Sequence, residues 1–263
     1  MGNVFSKISK VNLKTSFHNN KVILDDVYFT APFKIMSPFY KSNDYIKVVL
    51  MSSSAGIMAG DVQEFNIEIG ENTKVELTSQ AYEKIHKMKS GKAIRTCNIN
   101  VNKNALLKYS PQQTIPFSKS SFDSNMIINL EDKTSKLILT DIISCGRATS
   151  GEKFQYDLYK SYIEVKCNNR LIYRDNTIYI PEIYDMKGYG FFEGYTHLAN
   201  IFVCNIESIE EKINTIRDII NENKDISGGG TLTKYNNLSI KILGKSGQIL
   251  SNICENILSL ISL

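Results

Sequence analysis

At 263 residues, with 42% apolar and 10% aromatic side chains, the chain has enough core formers for a sizeable interior, which excludes wholesale disorder. Lys plus Arg number 31 against 27 Asp plus Glu, a net charge of +4, too little for the dense basic stripe of a nucleic-acid binder. No apolar run reaches the length of about 18 residues that a membrane-spanning helix needs, and MGNVFSKISK carries no hydrophobic signal region, so a cytoplasmic protein with no membrane partner is expected.

Met1-Gly2 followed by Ser6 formally matches a myristoylation pattern. The five cysteines (97, 145, 167, 204, 254) form no CxxC pair, which points to buried thiols in a reducing compartment.

In chain order, the first two-thirds read as strands. Phe65, Ile67 and Ile69 alternate with Asn66 and Glu68, the two-residue period of a half-buried strand. Val75–Leu77, Ile99–Val101, Met126–Leu130, Leu137–Leu139, Tyr162–Val165, Leu171–Tyr173 and Ile178–Ile180 are further short β-rich runs. Turn formers separate them at Gly70-Glu71-Asn72, Ser90-Gly91, Asn102-Lys103-Asn104, Glu131-Asp132 and Asn168-Asn169. Strands so close together, with little helix between, predict an antiparallel or stacked-sheet β architecture and not a βαβ fold.

From about residue 205 the rhythm changes. Ile209, Ile213, Ile216 and Ile220 mark one stripe of a helix over Glu207 to Asn223, with Ser208 and Glu211 spaced for a capping box. A second helix is predicted over Ser246 to Leu260, with Ile249, Leu250, Ile253, Ile257 and Leu258 on one side. Between them Ile226-Ser227-Gly228-Gly229-Gly230 reads as a flexible connector, and Leu238, Ile240 and Ile242 as a strand. A single domain over 1–263 is expected, β-rich over 1–205 and helix-containing over 206–263.

Catalytic motifs are not evident. Gly244-Lys245-Ser246 has only the tail of a phosphate loop, with Ser239 where the first Gly should stand. Ser150 and Lys153 match S-x-x-K without its companion motifs, and the three histidines (18, 86, 197) are scattered. Three stretches stand out instead. Ser54-Ala55-Gly56-Ile57-Met58-Ala59-Gly60-Asp61 suits a tight turn or bulge, in which Asp61 would satisfy turn amides. Ser110-Pro111-Gln112-Gln113-Thr114-Ile115-Pro116-Phe117 suits an edge or irregular rigid strand. In Gly146-Arg147-Ala148-Thr149-Ser150-Gly151-Glu152-Lys153-Phe154, Arg147 and Glu152 suit a buried or half-buried ion pair across a turn or a functional pair.

In this order, with Thr78-Ser79-Gln80-Ala81-Tyr82-Glu83-Lys84-Ile85-His86 between the first two, these stretches resemble the motifs of the urease accessory protein UreD (UreH) family. Ala31-Pro32-Phe33-Lys34 and Leu171-Ile172-Tyr173-Arg174-Asp175 fit the same frame. Ser52-Ser53 stands where the family carries Asn-Pro, and two family glycines are Ala55 and Ala59. The resemblance implies a mainly β fold, β-helix-like stacked sheets with two C-terminal helices. It also implies a non-enzymatic chaperone that binds apo-urease, recruits UreF and through it the GTPase UreG, and offers nickel a tunnel to the urease site. No cofactor of its own is implied, only transient nickel. Candidate tunnel-lining groups are Asp61, Gln80, Glu152 and Asp175, oxygen donors that hold a passing ion more weakly than imidazole or thiolate would. Each has a plain structural alternative: Asp61 a turn cap, Gln80 a backbone contact, Glu152 a partner for Arg147, Asp175 a turn residue.

Overall fold

A computed structural model describes residues 8–261; the myristoylation-like spacing of Met1, Gly2 and Ser6 lies outside them. From residue 45 onward the chain alternates between two sheets. The first sheet takes β6 (Val62–Ile69), β9 (Ala93–Val101), β12 (Ser121–Leu130) and β14 (Leu158–Cys167). The second takes β5 (Tyr45–Ser52), β7 (Lys74–Ser79), β10 (Leu106–Tyr109) and β13 (Lys136–Ser144). Successive strands within each sheet pair in parallel. Each coil of chain therefore lies on the one before, the β-helix-like stack that the resemblance implies. Antiparallel strands finish the edges: β1 (Ser9–His18) beside β6 is parallel to it, but β2 (Lys21–Phe29) returns antiparallel, as does β15 (Arg170–Tyr179) on β14.

The second sheet begins with β3 (Phe33–Ile35) and β4 (Phe39–Tyr40) on β5, and takes a short annex of β8 (Glu83–Ile85) and β11 (Thr114–Pro116). It ends with β16 (His197–Cys204), β18 (Leu238–Gly244) and β17 (Ile226–Leu232), all antiparallel.

Interior positions repeat at the same level in each coil, so the core forms rows. Ile67, Ile99, Ile128 and Val165 are neighbours across the first sheet, and Ile46, Val75, Leu107 and Leu137 across the second. These residues are buried against one another between the sheets. At one end of the stack the chain crosses between sheets in short turns that rest on each other. Asn72 N–H donates to the Lys103 carbonyl at 3.1 Å, and Asn104 N–H to Thr134 Oγ1 at 2.8 Å. Asn72 and Asn104 hold φ of 60° and 54°, a left-handed conformation that Asn tolerates better than other side chains.

Two helices cover the outer face of β13, β16, β18 and β17. They are α1 (Ile209–Glu222) and α2 (Gly247–Leu260). The stripe Ile209, Ile213, Ile216, Ile220 and the α2 residues Leu250, Ile253, Ile257 pack with Ile201, Leu238, Ile240 and Ile242. Ser246 caps α2 by accepting from Ile249 N–H at 3.2 Å. All five cysteines are buried free thiols.

Of the two architectures expected, antiparallel or stacked-sheet, the stack is the one observed, paired in parallel because each return passes through the other sheet instead of a hairpin. Three expectations need correction. Leu171–Tyr173 and Ile178–Ile180 are not two strands: the former and Ile178-Tyr179 belong to the continuous β15. The Ser208 capping box does not form. Ser208 takes φ 52°, and its side chain makes no cap bond, since a hydroxyl reaches the helix amides only from an extended backbone. The glycine segment is strand β17, paired with β18 along its length. Its glycines admit close neighbours: a Cβ on Gly228 would lie 2.3 Å from the Lys241 carbonyl oxygen, and one on Gly230 3.4 Å from Ile213 of α1. The ten residues of β1 and the strands through β5 carry no signal singled out from sequence beyond Ala31–Lys34, which enters β3.

Gly228→Ala is expected to lower stability in urea denaturation by about 1–3 kcal/mol, because a backbone must shift to admit the methyl group. Gly229→Ala, where a Cβ meets nothing within 4 Å, should stay within about 0.5 kcal/mol of the parent. Equal effects at the two positions would count against a packing role for the glycines.

Candidate functional site

The row principle gathers a set of polar side chains at one interior level of the stack. Gln63, Arg95, Ser124, Ser161 and Thr177 stand side by side across β6, β9, β12, β14 and β15. On one side runs the apolar row Phe65, Cys97, Met126, Ile163, and on the other Ala93, Phe122, Tyr159, Tyr179. From the second sheet Asp141, Asn200 and Lys241 form a matching row on β13, β16 and β18. A cavity of about 180 Å³ lies between the sheets, lined by Gln63, Arg95, Ser124, Ser161, Glu83 and Asp141 among others. A second, much smaller cavity continues past Asp141, Tyr159, Ser161 and Ile163, which both share, to Asp175, Thr177 and Asn200.

Three of the sequence motifs meet at the larger cavity. Ser54, Ala55 and Gly56, then Thr78, Ser79 and Ala81, then Pro111, Gln112 and Thr114 all line it. Their closeness needs small residues: a Cβ on Gly56 would lie 2.4 Å from the Lys84 carbonyl oxygen. The fourth motif packs behind them. Arg147 lies over Phe117 at 4.4 Å, and Phe117 meets His86 edge-on at 4.8 Å.

The four candidate residues separate. Asp61 caps its turn, accepting from Met58 N–H at 2.8 Å. Gln80 is exposed just beyond β7, its backbone N–H bonded to the Leu50 carbonyl at 3.0 Å. Glu152 pairs with Arg147, whose Nε donates at 2.9 Å, and accepts from Ser118 N–H at 3.2 Å. That pairing holds the Glu152 carboxyl below its ordinary value. None of these three lines either cavity. Asp175 does: it lines the smaller one, accepting from Lys241 Nζ at 2.8 Å.

Sequence reasoning missed Gln63, Glu83, Arg95 and Asp141 as a group. Arg95 donates through NH1 to Glu83 Oε2 at 2.6 Å and through NH2 to the other Glu83 oxygen. Its Nε and NH2 also donate to Gln63 Oε1, at 2.9 and 2.5 Å. The Phe65 and Phe122 rings lie 5.0 and 5.5 Å from the guanidinium. Asp141 forms no ion pair among the described residues, and burial, then Asp175 and Glu83, push its carboxyl up to about 6. Also among the described residues, no three His, Cys, Asp or Glu side chains are gathered to hold a metal ion, and no helix is long and apolar enough to cross a membrane. The arrangement suits a hydrated ion's brief stay: one free carboxylate, with hydroxyl and amide oxygens on either side.

Comparison with known proteins agrees with the motifs. The family model described as UreD urease accessory protein matches residues 7–263. The chain is 36% identical to urease accessory protein UreD of Acetivibrio thermocellus over 257 residues, 97% of each chain. It is 34% identical to urease accessory protein UreH of Helicobacter pylori strain G27, over 97% of this chain and 95% of that one. Against UreD of Flavobacterium johnsoniae the identity is 30%, over 95% and 91%.

Asp141 gives the site a pH signature. Its folded value of about 6 lies above the ordinary 3.8, so the fold disfavours the ionised form. The resulting destabilisation is absent below about pH 4, grows as pH rises toward 6, and then stays near 3 kcal/mol, at roughly 1.4 kcal/mol for each pH unit of displacement. Asp141→Asn should therefore melt above the parent at pH 7.5 and together with it near pH 4. A pH-independent gap in thermal melts would assign the effect to packing.

Proposed function

The chain belongs to the UreD family of urease accessory proteins, and from that premise we propose that it is a non-enzymatic scaffold of urease maturation that passes nickel through its interior. In this reading it binds apo-urease and recruits UreF, and through UreF the GTPase UreG, in the cytoplasm. Nucleotide chemistry then belongs to a partner, and this chain contributes surface and passage. The observation that supports the passage is the polar level between apolar rows, continued from the larger cavity into the smaller by shared residues.

A divalent ion entering a low-dielectric interior sheds water and needs oxygen ligands and compensating charge along the way. Asp141 supplies both, midway between the cavities. Ser124, Ser161 and Thr177 on one sheet and Asn200 on the other supply neutral oxygens within the same two cavities. Asp175, already paired with Lys241, offers a second carboxylate in the smaller cavity. Neutral oxygens bind nickel weakly enough for it to leave. Asp61, Gln80 and Glu152 remain candidates for the approaches to this path.

Asp141→Asn should keep partner binding in pull-downs with UreF and apo-urease while lowering nickel-dependent urease activation several-fold. Asp61→Ala and Glu152→Ala serve as comparison in the same assay. Normal activation by Asp141→Asn, with loss in either of the other two at intact assembly, would move the path out of the interior.

A further inference from the structure

Arg95 presents a problem for a cation passage: it is a fixed positive charge in the wall of the larger cavity. Its side chain is only 11% exposed. A buried ion pair is at best a weak source of stability compared with apolar side chains of similar volume. The rows on either side, with Phe65 and Phe122, show that this level of the sheet could be filled by such side chains. The pair is also built with care. The guanidinium engages both oxygens of Glu83, neutralising its charge, and is steadied by two bonds to Gln63.

Its effect is on Glu83. Glu83 on β8 and Asp141 on β13 both line the cavity, both adjoin β11, and are close enough for Glu83 to disfavour the Asp141 charge. Two free carboxylates in a half-dry cavity would form a retaining site for a divalent ion. With every Glu83 oxygen engaged by Arg95, only Asp141 is left.

We propose that Arg95 is a charge lock: by occupying Glu83 it keeps the cavity one carboxylate short of a site that would hold nickel, so that the ion passes instead of staying. Arg95 acts through Glu83 and is a positioning residue. The inference rests on the passage reading, but its chemistry can be read on the isolated protein without urease.

The test uses the purified full chain, nickel sulfate as probe, equilibrium dialysis with metal analysis, and thermal melts with and without nickel. The parent should release nickel on dialysis and melt at the same temperature with or without it. Arg95→Met, which fits between the two phenyl rings, should retain near-stoichiometric nickel and melt higher when nickel is present, as any ligand of the folded state requires. The double variant Arg95→Met/Glu83→Gln should lose both effects. Arg95→Lys keeps the charge and should fold and stay free of nickel.

Absence of retention by Arg95→Met would overturn the lock, as would retention that survives in the double variant. Retention by Arg95→Lys would overturn it too, and that arm stands if Arg95→Met does not fold. Failure of the passage reading looks different: Asp141→Asn would activate urease normally while Arg95→Met still held nickel, an outcome that upholds the lock's chemistry.

Discussion

The backbone register of the parallel strands governs the rest of the molecule. Once β6, β9, β12 and β14 hydrogen-bond level with level, every side chain is fixed beside its counterpart in the next coil. A residue that alternates inward in one strand becomes part of a row running across the sheet. Apolar rows make the core, and a polar residue at one level is joined by others at that level. The fold thereby turns single choices in distant parts of the sequence into continuous features.

The interior polar level follows from this and carries its own energetics. Hydroxyls of Ser124, Ser161 and Thr177 can be solvated by water in the cavities they line. Charges are harder to house. Arg95 and Glu83 are held by each other, whereas Asp141 is left facing Asp175 and Glu83 and is pushed toward its neutral form. The contrast between a satisfied pair and an unsatisfied carboxylate at one level distinguishes it from the flanking rows of Phe65, Cys97, Met126 and Ile163 and of Ala93, Phe122, Tyr159 and Tyr179.

Much of the architecture was legible in the sequence because alternation and turn residues are local signals. Phe65–Ile69 announced β6, and the isoleucine stripe announced α1. Residues of the motifs near 56, 80 and 112 meet at the cavity. What could not be read were features set by partners elsewhere in the chain. Gly228–Gly230 reads as a flexible connector because the residues of β18 and α1 that demand small residues there lie on other elements. Ser208 and Glu211 had the spacing of a capping box, but the turn out of β16 set the backbone at a left-handed angle. Asp141 sits in a run of Leu, Ile and Thr with no motif around it. Nothing local tells that its level is the polar one, since that depends on Gln63, Arg95, Ser124 and Ser161 in four other strands.

The two ends of the stack are built differently, and this constrains how such a chain can change over generations. At the end of Gly70–Thr73, Asn102–Ala105 and Glu131–Ser135, the crossings are short and lean on one another through backbone bonds. An added residue there would slip the next strand by one and turn its core face outward. At the other end the connections are long and of unequal length: 53–61, 80–92, 110–120 and 145–157. By this argument an insertion or deletion is better tolerated at that end, where the motifs line the cavity. The closed end serves as a ruler for the coil, while the open end is where related chains can diverge in shape and in what they recognise without disturbing the register behind them.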